Sequence, residues 1–105
     1  MTKPTQLGPV EAYEAIQRLL AEGDCIGLTS HAREQCIERH VTIDDIRDVL
    51  EKGTVGPNPE WNDRSGNWKY SVTGCDCEHD PLVVVVALEP WICRITVITV
   101  KDRSV

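Results

Sequence analysis

Phenylalanine is absent from these 105 residues, methionine occurs once, and three Trp with two Tyr are the whole aromatic content. Aliphatic side chains must therefore build the core, and a domain of this size buries only roughly 60% of its unfolded surface, so stability has little reserve. No apolar run reaches the ~18 residues that a membrane span requires. Met1 to Val10 lacks both a basic stretch and an apolar stretch of signal type, so a cytoplasmic protein with no membrane partner is expected. Positive charge is also scarce. The 11 Lys+Arg face 17 Asp+Glu for a net −6, which argues against capture of nucleic acid by broad surface charge; any polyanion needs a local basic patch. No glycine-rich phosphate loop, nucleophile elbow or paired-carboxylate motif stands out.

What is present is ordinary globular composition, 41% hydrophobic and 27% charged, which predicts one domain over residues 1–105 with one small core. The five cysteines are an odd number, and without an export signal they read as thiols rather than a disulfide framework. Pro9 suits a first helical turn, and Val10, Tyr13, Ile16 and Leu20 recur on one face until Gly23. Cys25-Ile26-Gly27-Leu28 reads as a connecting strand, and Thr29 or Ser30 caps a second helix from about His31 to Arg39. Thr42 with Asp45 three residues later resembles a capping box that launches Ile43, Ile46, Val49 and Leu50, with Gly53 as the stop.

Beyond Gly53 the period changes from helical to alternating. Gly56-Pro57-Asn58-Pro59 is a loop, Arg64-Ser65-Gly66-Asn67 a turn, and Trp68, Tyr70 and Val72 then alternate with Lys69, Ser71 and Thr73 as in a half-buried strand. Leu82 to Leu88 is apolar on both parities, and Glu89-Pro90 turns the chain into a last strand, Ile92 to Val100. There Cys93, Ile95 and Val97 form the apolar row while Arg94 and Thr96 face the other way. The expected fold is α+β: about three N-terminal helices on a small antiparallel meander.

The run Ser30-His31-Ala32-Arg33 through Arg39, with Val41 to Ile46 and Leu50-Glu51-Lys52-Gly53, resembles the family known as domain of unknown function 4258 (DUF4258). Trp68 to Gly74, Pro81 to Val86 and Ile98-Thr99-Val100 look like the strand pattern of the same family, so the resemblance spans about Val10 to Lys101. The order of elements is also similar to MqsR and, more distantly, RelE, toxins of toxin–antitoxin pairs that cleave messenger RNA without a metal. That fold-level likeness implies RNA or an antitoxin-like protein as partner, and bears only indirectly on chemistry.

Residue chemistry supplies the candidates. Metal-free RNA cleavage needs a base for the ribose 2′-hydroxyl and an acid for the leaving oxygen, roles an imidazole fills near neutral pH, and His31 is the candidate; the plain alternative is a capping or packing role. Arg39 and Arg94 complete the catalytic candidates as phosphate contacts; Arg39, eight residues on from His31, cannot share one phosphate with it unless the chain bends, and Arg94 has a structural ion pair as its alternative. Lys69, Tyr70 and Lys101 are candidate RNA contacts, Lys101 by the MqsR resemblance alone, and Trp61 and Trp68 are either base-stacking surfaces or core. Residues 91–105 carry Arg94, Lys101 and Arg103 against Asp102, whereas residues 1–52 sum to −4, so a modest basic sheet edge on an acidic protein is expected. Cys75, Cys77 and His79, if extended, point to one side and form a partial zinc ligand set; an ordinary turn is the alternative, and no other cofactor is expected. A non-catalytic module that dimerises or binds a protein partner stands as the rival to RNA chemistry throughout.

Overall fold

A computed structural model of the chain describes residues 5–23, 25–76 and 78–102. Helix α1 (Pro9–Ala21) starts with proline in its first turn, where a missing N–H costs nothing. Its buried face is Ala12, Ala15, Ile16, Leu19 and Leu20, while Val10 is 69% and Tyr13 39% exposed. The expected face was therefore rotated by about one position. Two alanines let the helix approach closely, and Tyr13 sits at the margin, its hydroxyl donating to the Glu51 carbonyl. Gln17 Nε2 donates to the Leu50 carbonyl at 2.8 Å. Both acceptors belong to the last turn of α3 (Ile43–Lys52), where carbonyls have no intrahelical partner, so α1 caps α3 from the side.

Helix α2 (Ser30–Arg39) is capped by Thr29, and α3 by the Thr42–Asp45 box with both reciprocal bonds formed. Strands β1 (Ile26–Leu28), β2 (Thr54–Val55), β3 (Glu60–Asn62), β4 (Asn67–Cys75), β5 (Pro81–Glu89) and β6 (Arg94–Asp102) make one sheet, with a 3₁₀ turn at Pro90–Ile92. The order is β1-β6-β5-β4-β2, with β3 also on β4. The meander β4-β5-β6 is antiparallel as expected, but β1 pairs with β6 in parallel, so the sheet is mixed. Two short strands were not expected. Both line the outer edge of β4, and the Gly56–Pro59 loop separates them, because two prolines in four residues cannot continue a ladder.

The far edge, that of β6, is covered twice. Beside Ile95–Val97 runs β1, and beyond it α2 takes over, with the Val100 N–H donating to Gln35 Oε1. The last strand begins at Arg94 rather than Ile92: Cys93 is in the left-handed region at φ 50° and exposed, and so leaves the apolar row assigned to it. On β5, Val85 pairs with Thr99 but Val86 with Val97, which leaves Ile98 as an extra residue in a bulge. The bulge resets parity, so that Ile95, Val97 and Val100 are all fully buried.

These side chains meet Val72, Val84 and Val86 beneath Ile16, Ile46, Val49 and Leu50 in a single helix-covered core. The opposite face of the sheet lies outside that cluster. It reads across the strands as three rows, Lys69–Ala87–Thr96, Ser71–Val85–Thr99 and Thr73–Val83–Lys101.

Candidate functional site

Above the first of those rows the uncovered face forms a cleft of about 640 Å³. Ala87, Thr96 and Ile98 floor it, the β3–β4 turn walls one side with Arg64 and Ser65, and His31 and Trp91 line it from α2 and the 3₁₀ turn. Local chemistry fixes each wall. In the β3–β4 turn, Gly66 has φ +66° and donates to the Asn62 carbonyl, while the Asn62 side chain accepts from the Arg64 N–H. Asn67, only 7% exposed, ties this turn to the end of β5 by donating to the Leu88 carbonyl at 3.0 Å. On the α2 side, the Thr29 hydroxyl accepts from the Ala32 N–H and donates to the Ile98 carbonyl, which anchors the turn bearing His31 to β6.

Lys69 lines this cleft and also a second recess of about 110 Å³, which it shares with Glu60, Ser71, Val85, Thr99 and Lys101. The two spaces form one continuous candidate surface. Its cations are Arg64, Lys69 and Lys101 and its anions Glu60 and Glu89, an inversion of sign on a chain of net −6. The Glu89 carboxylate accepts a hydrogen bond from the Thr96 hydroxyl.

The structure brings some sequence candidates together and separates others. His31 and Lys69 line the cleft, and Lys69 and Lys101 line the recess beside it. Arg39 does not: its guanidinium pairs with Asp102 at 2.7 Å and ties the end of α2 to the end of β6. Arg94 opens β6 in register with Glu89, and its Cδ and Nε lie over Gly27, the partner of Thr96, so it stands on the cleft face beside the cleft without being among the residues that line it. The strand that carries Lys69 and Tyr70 is not its neighbour, because β5 lies between β6 and β4, some 10 Å across.

Tyr70 requires a correction. It is 3% exposed, and its hydroxyl accepts from the Leu7 N–H, so it belongs to the core and presents no ring to RNA. Trp61 and Trp68 share that face of β3 and β4 and pack edge-to-face, centroids 5.3 Å apart. The aromatic at the cleft is Trp91, which is 65% exposed and was not singled out. Its signal in the sequence was faint: a large apolar residue in a Pro-initiated turn, where no alternation calls for burial.

At the other end of β4, Cys75 is exposed where the strand stops, and His79 follows in the left-handed region at φ 68°. The Asp76 carboxylate accepts from the N–H groups of Glu78 and Asp80 and curls the segment, so the extended geometry assumed for the metal set does not continue past Cys75. Cys77 lies outside the described residues, and among those described no three His, Cys, Asp or Glu are grouped to hold a metal.

The remaining thiols separate by burial. Desolvation, and then the negative charge of Asp45, push the Cys36 thiol above its ordinary range. The folded chain thus holds that proton more tightly than the unfolded chain, a stabilisation present below the ordinary thiol range and lost as pH rises through the raised value. We expect iodoacetamide at pH 8 to label Cys75 and Cys93 at least ~10-fold faster than Cys25 and Cys36 in peptide-resolved mass-spectrometric time courses. Equal rates at all four would contradict the packing of α2.

The family model for a domain of unknown function, DUF4258, matches residues 28–102. No curated protein and no solved structure matches the chain significantly. The match runs from the end of β1 through β6 and includes every residue of the cleft and recess named above. By that match, which covers well over half of its length, the chain belongs to the DUF4258 family.

Proposed function

We propose that this member of the DUF4258 family binds a short single-stranded segment of RNA across the uncovered face of its sheet. The observation that carries the reading is the joining, on one face of an acidic protein, of an exposed Trp91 with Arg64, Lys69 and Lys101 along a continuous cleft and recess. Single-stranded nucleic acid is held by just this pairing of chemistries, base stacking on an aromatic ring and cations along the phosphates. With two carboxylates on the same surface the binding is modest and sensitive to salt. A cleavage role rests on His31 as acid or base, with Arg94 at the cleft margin opposite Glu89, whereas Arg39 is paired with Asp102.

Fluorescence anisotropy of a labelled eight-nucleotide RNA tests it. Trp91→Ala should weaken binding by ~10-fold or more, in keeping with the worth of one stacked base, while Arg18→Gln on the outer face of α1 leaves it unchanged. Failure of the wild type to bind at low salt would overturn the reading. Cleavage products ending in a cyclic phosphate, lost in His31→Ala, would extend it to catalysis.

A second reading has an observation of its own. Trp91 and Ile92 stand exposed side by side at 65% and 52%, an apolar tip suited to a protein interface or a homodimer. Dimers in a sedimentation series that dissociate on Trp91→Ala would assign the tip to that interface instead.

A further inference from the structure

The larger cleft suits a base and its sugar; the smaller recess next to it differs in kind. It is bordered by two lysines on strands that β5 separates, and its floor is Val85 flanked by the hydroxyl residues Ser71 and Thr99 in register. An ammonium offers three donors with no fixed plane, and a hydroxyl adds one more. Together these surround a space of about 110 Å³ with donors, room for a tetrahedral oxyanion and too little for a nucleoside. Glu60 supplies the sole acceptor charge. Its carboxylate is 3.7 Å from Lys69 Nζ and 78% exposed, longer than the ~2.8 Å of a hydrogen-bonded ion pair. It stands on a three-residue edge strand, and exposed pairs of this sort are weak. Lys101 has no ion-pair partner among the described residues.

We infer that the recess between Lys69 and Lys101 is a phosphate subsite, and that the Glu60 carboxylate occupies its Lys69 side until a phosphate displaces it. The inference rests on the RNA reading for the source of the phosphate, a backbone group of the strand whose neighbouring base enters the larger cleft. Lys69, which lines both spaces, is the hinge between them. Glu60 then sets a threshold: a monoanionic solute competes poorly with it, whereas a phosphate delivered on a strand already stacked at Trp91 arrives at high effective concentration.

Two titrations of the full chain test this. With inorganic pyrophosphate, the amide signals of Ser71, Val85 and Thr99 should move together in NMR spectra. Glu60→Gln should tighten binding by ~5-fold and Lys101→Gln weaken it by ~10-fold, the scale of one charge-assisted contact. Absence of shifts at those amides, or Glu60→Gln binding no tighter than wild type, overturns the subsite. In the RNA titration the same two variants should move affinity in the same directions, with Lys101→Gln lowering the salt slope by about one contact. RNA binding that ignores both substitutions overturns the subsite and leaves the RNA reading standing. Pyrophosphate binding without RNA binding supports the subsite and overturns that reading. Urea midpoints of both variants within ~0.5 M of wild type, as expected for exposed side chains, exclude misfolding as the cause.

Discussion

Replacing Gly53 by alanine is expected to cost about 3 kcal/mol or more, the upper part of the range for overpacked sites. Its φ of −78° is open to any residue, so the constraint is space. A Cβ there would lie 2.4 Å from the Val49 carbonyl oxygen and 2.7 Å from that of Thr73, and neither atom is the end of a flexible side chain. Backbone must separate from backbone, and the end of α3 would lift off β4. Gly74 shows the same closeness from the other side, a Cβ there falling 3.4 Å from the Cα atoms of Gly53 and Val49. Against a total stability of ~5–15 kcal/mol the loss is large, and a urea midpoint lowered by roughly 1.5 M is the expected reading. Gly23→Ala is the contrast. Gly23 has φ +104° and open space around it, so alanine there meets torsional strain alone, about 1–2 kcal/mol. Equal losses at the two sites would mean that α3 is free to back away.

Two adjacent valines on β5 should answer a carboxylate in opposite ways. Val84 is fully buried and Val83 9% exposed, nearly the same by area. Yet Val84 faces the helices among Val72 and Val100, whereas Val83 pairs with Lys101 on the uncovered face. An aspartate at 84 would be a charge with no partner in the core, a loss of ~4 kcal/mol or more. At 83 the same group can turn to solvent and lies beside an ammonium, so the cost falls to the lost apolar burial, about 1–2 kcal/mol. We expect Val84→Asp to be recovered unfolded and Val83→Asp to keep native circular dichroism and a cooperative melt. If both collapse, a second layer must cover the face that carries the cleft.

That two-faced strand marks the limit of what could be read from sequence. Leu82 to Leu88 shows apolar residues on both parities, which correctly placed β5 at the centre but concealed that only one parity meets helices. Helix boundaries were legible because their signals are local: Thr42 and Asp45 three residues apart, Thr29 before α2, Gly53 after α3. The parallel pairing of β1 was not, since a three-residue strand carries no period and its partner lies far along the chain. Nor was the bulge at Ile98, which depends on how β5 and β6 meet. On the site, charge type alone identified His31, Lys69 and Lys101 as residues worth following, but could not tell an arginine committed to Asp102 from a free one. Tyr70 and Trp91 exchanged roles for a related reason. Alternation puts Tyr70 on the same row as Val72, and that row turned out to be the core.

The joining of β1 to β6 also bears on how the chain assembles. The hairpins β4–β5 and β5–β6 close through short connections, whereas the bond from the Thr29 hydroxyl to the Ile98 carbonyl spans 69 residues. Loop-closure entropy grows with the logarithm of that span, and non-local parallel contacts are the slow ones to form. The meander can therefore exist before its edge is shielded, and until β1 and α2 arrive β6 presents unpaired backbone to other chains. The segment that positions His31 is the same one that ends this exposure, so one docking event both completes the cleft and closes the interval in which the nascent sheet can aggregate.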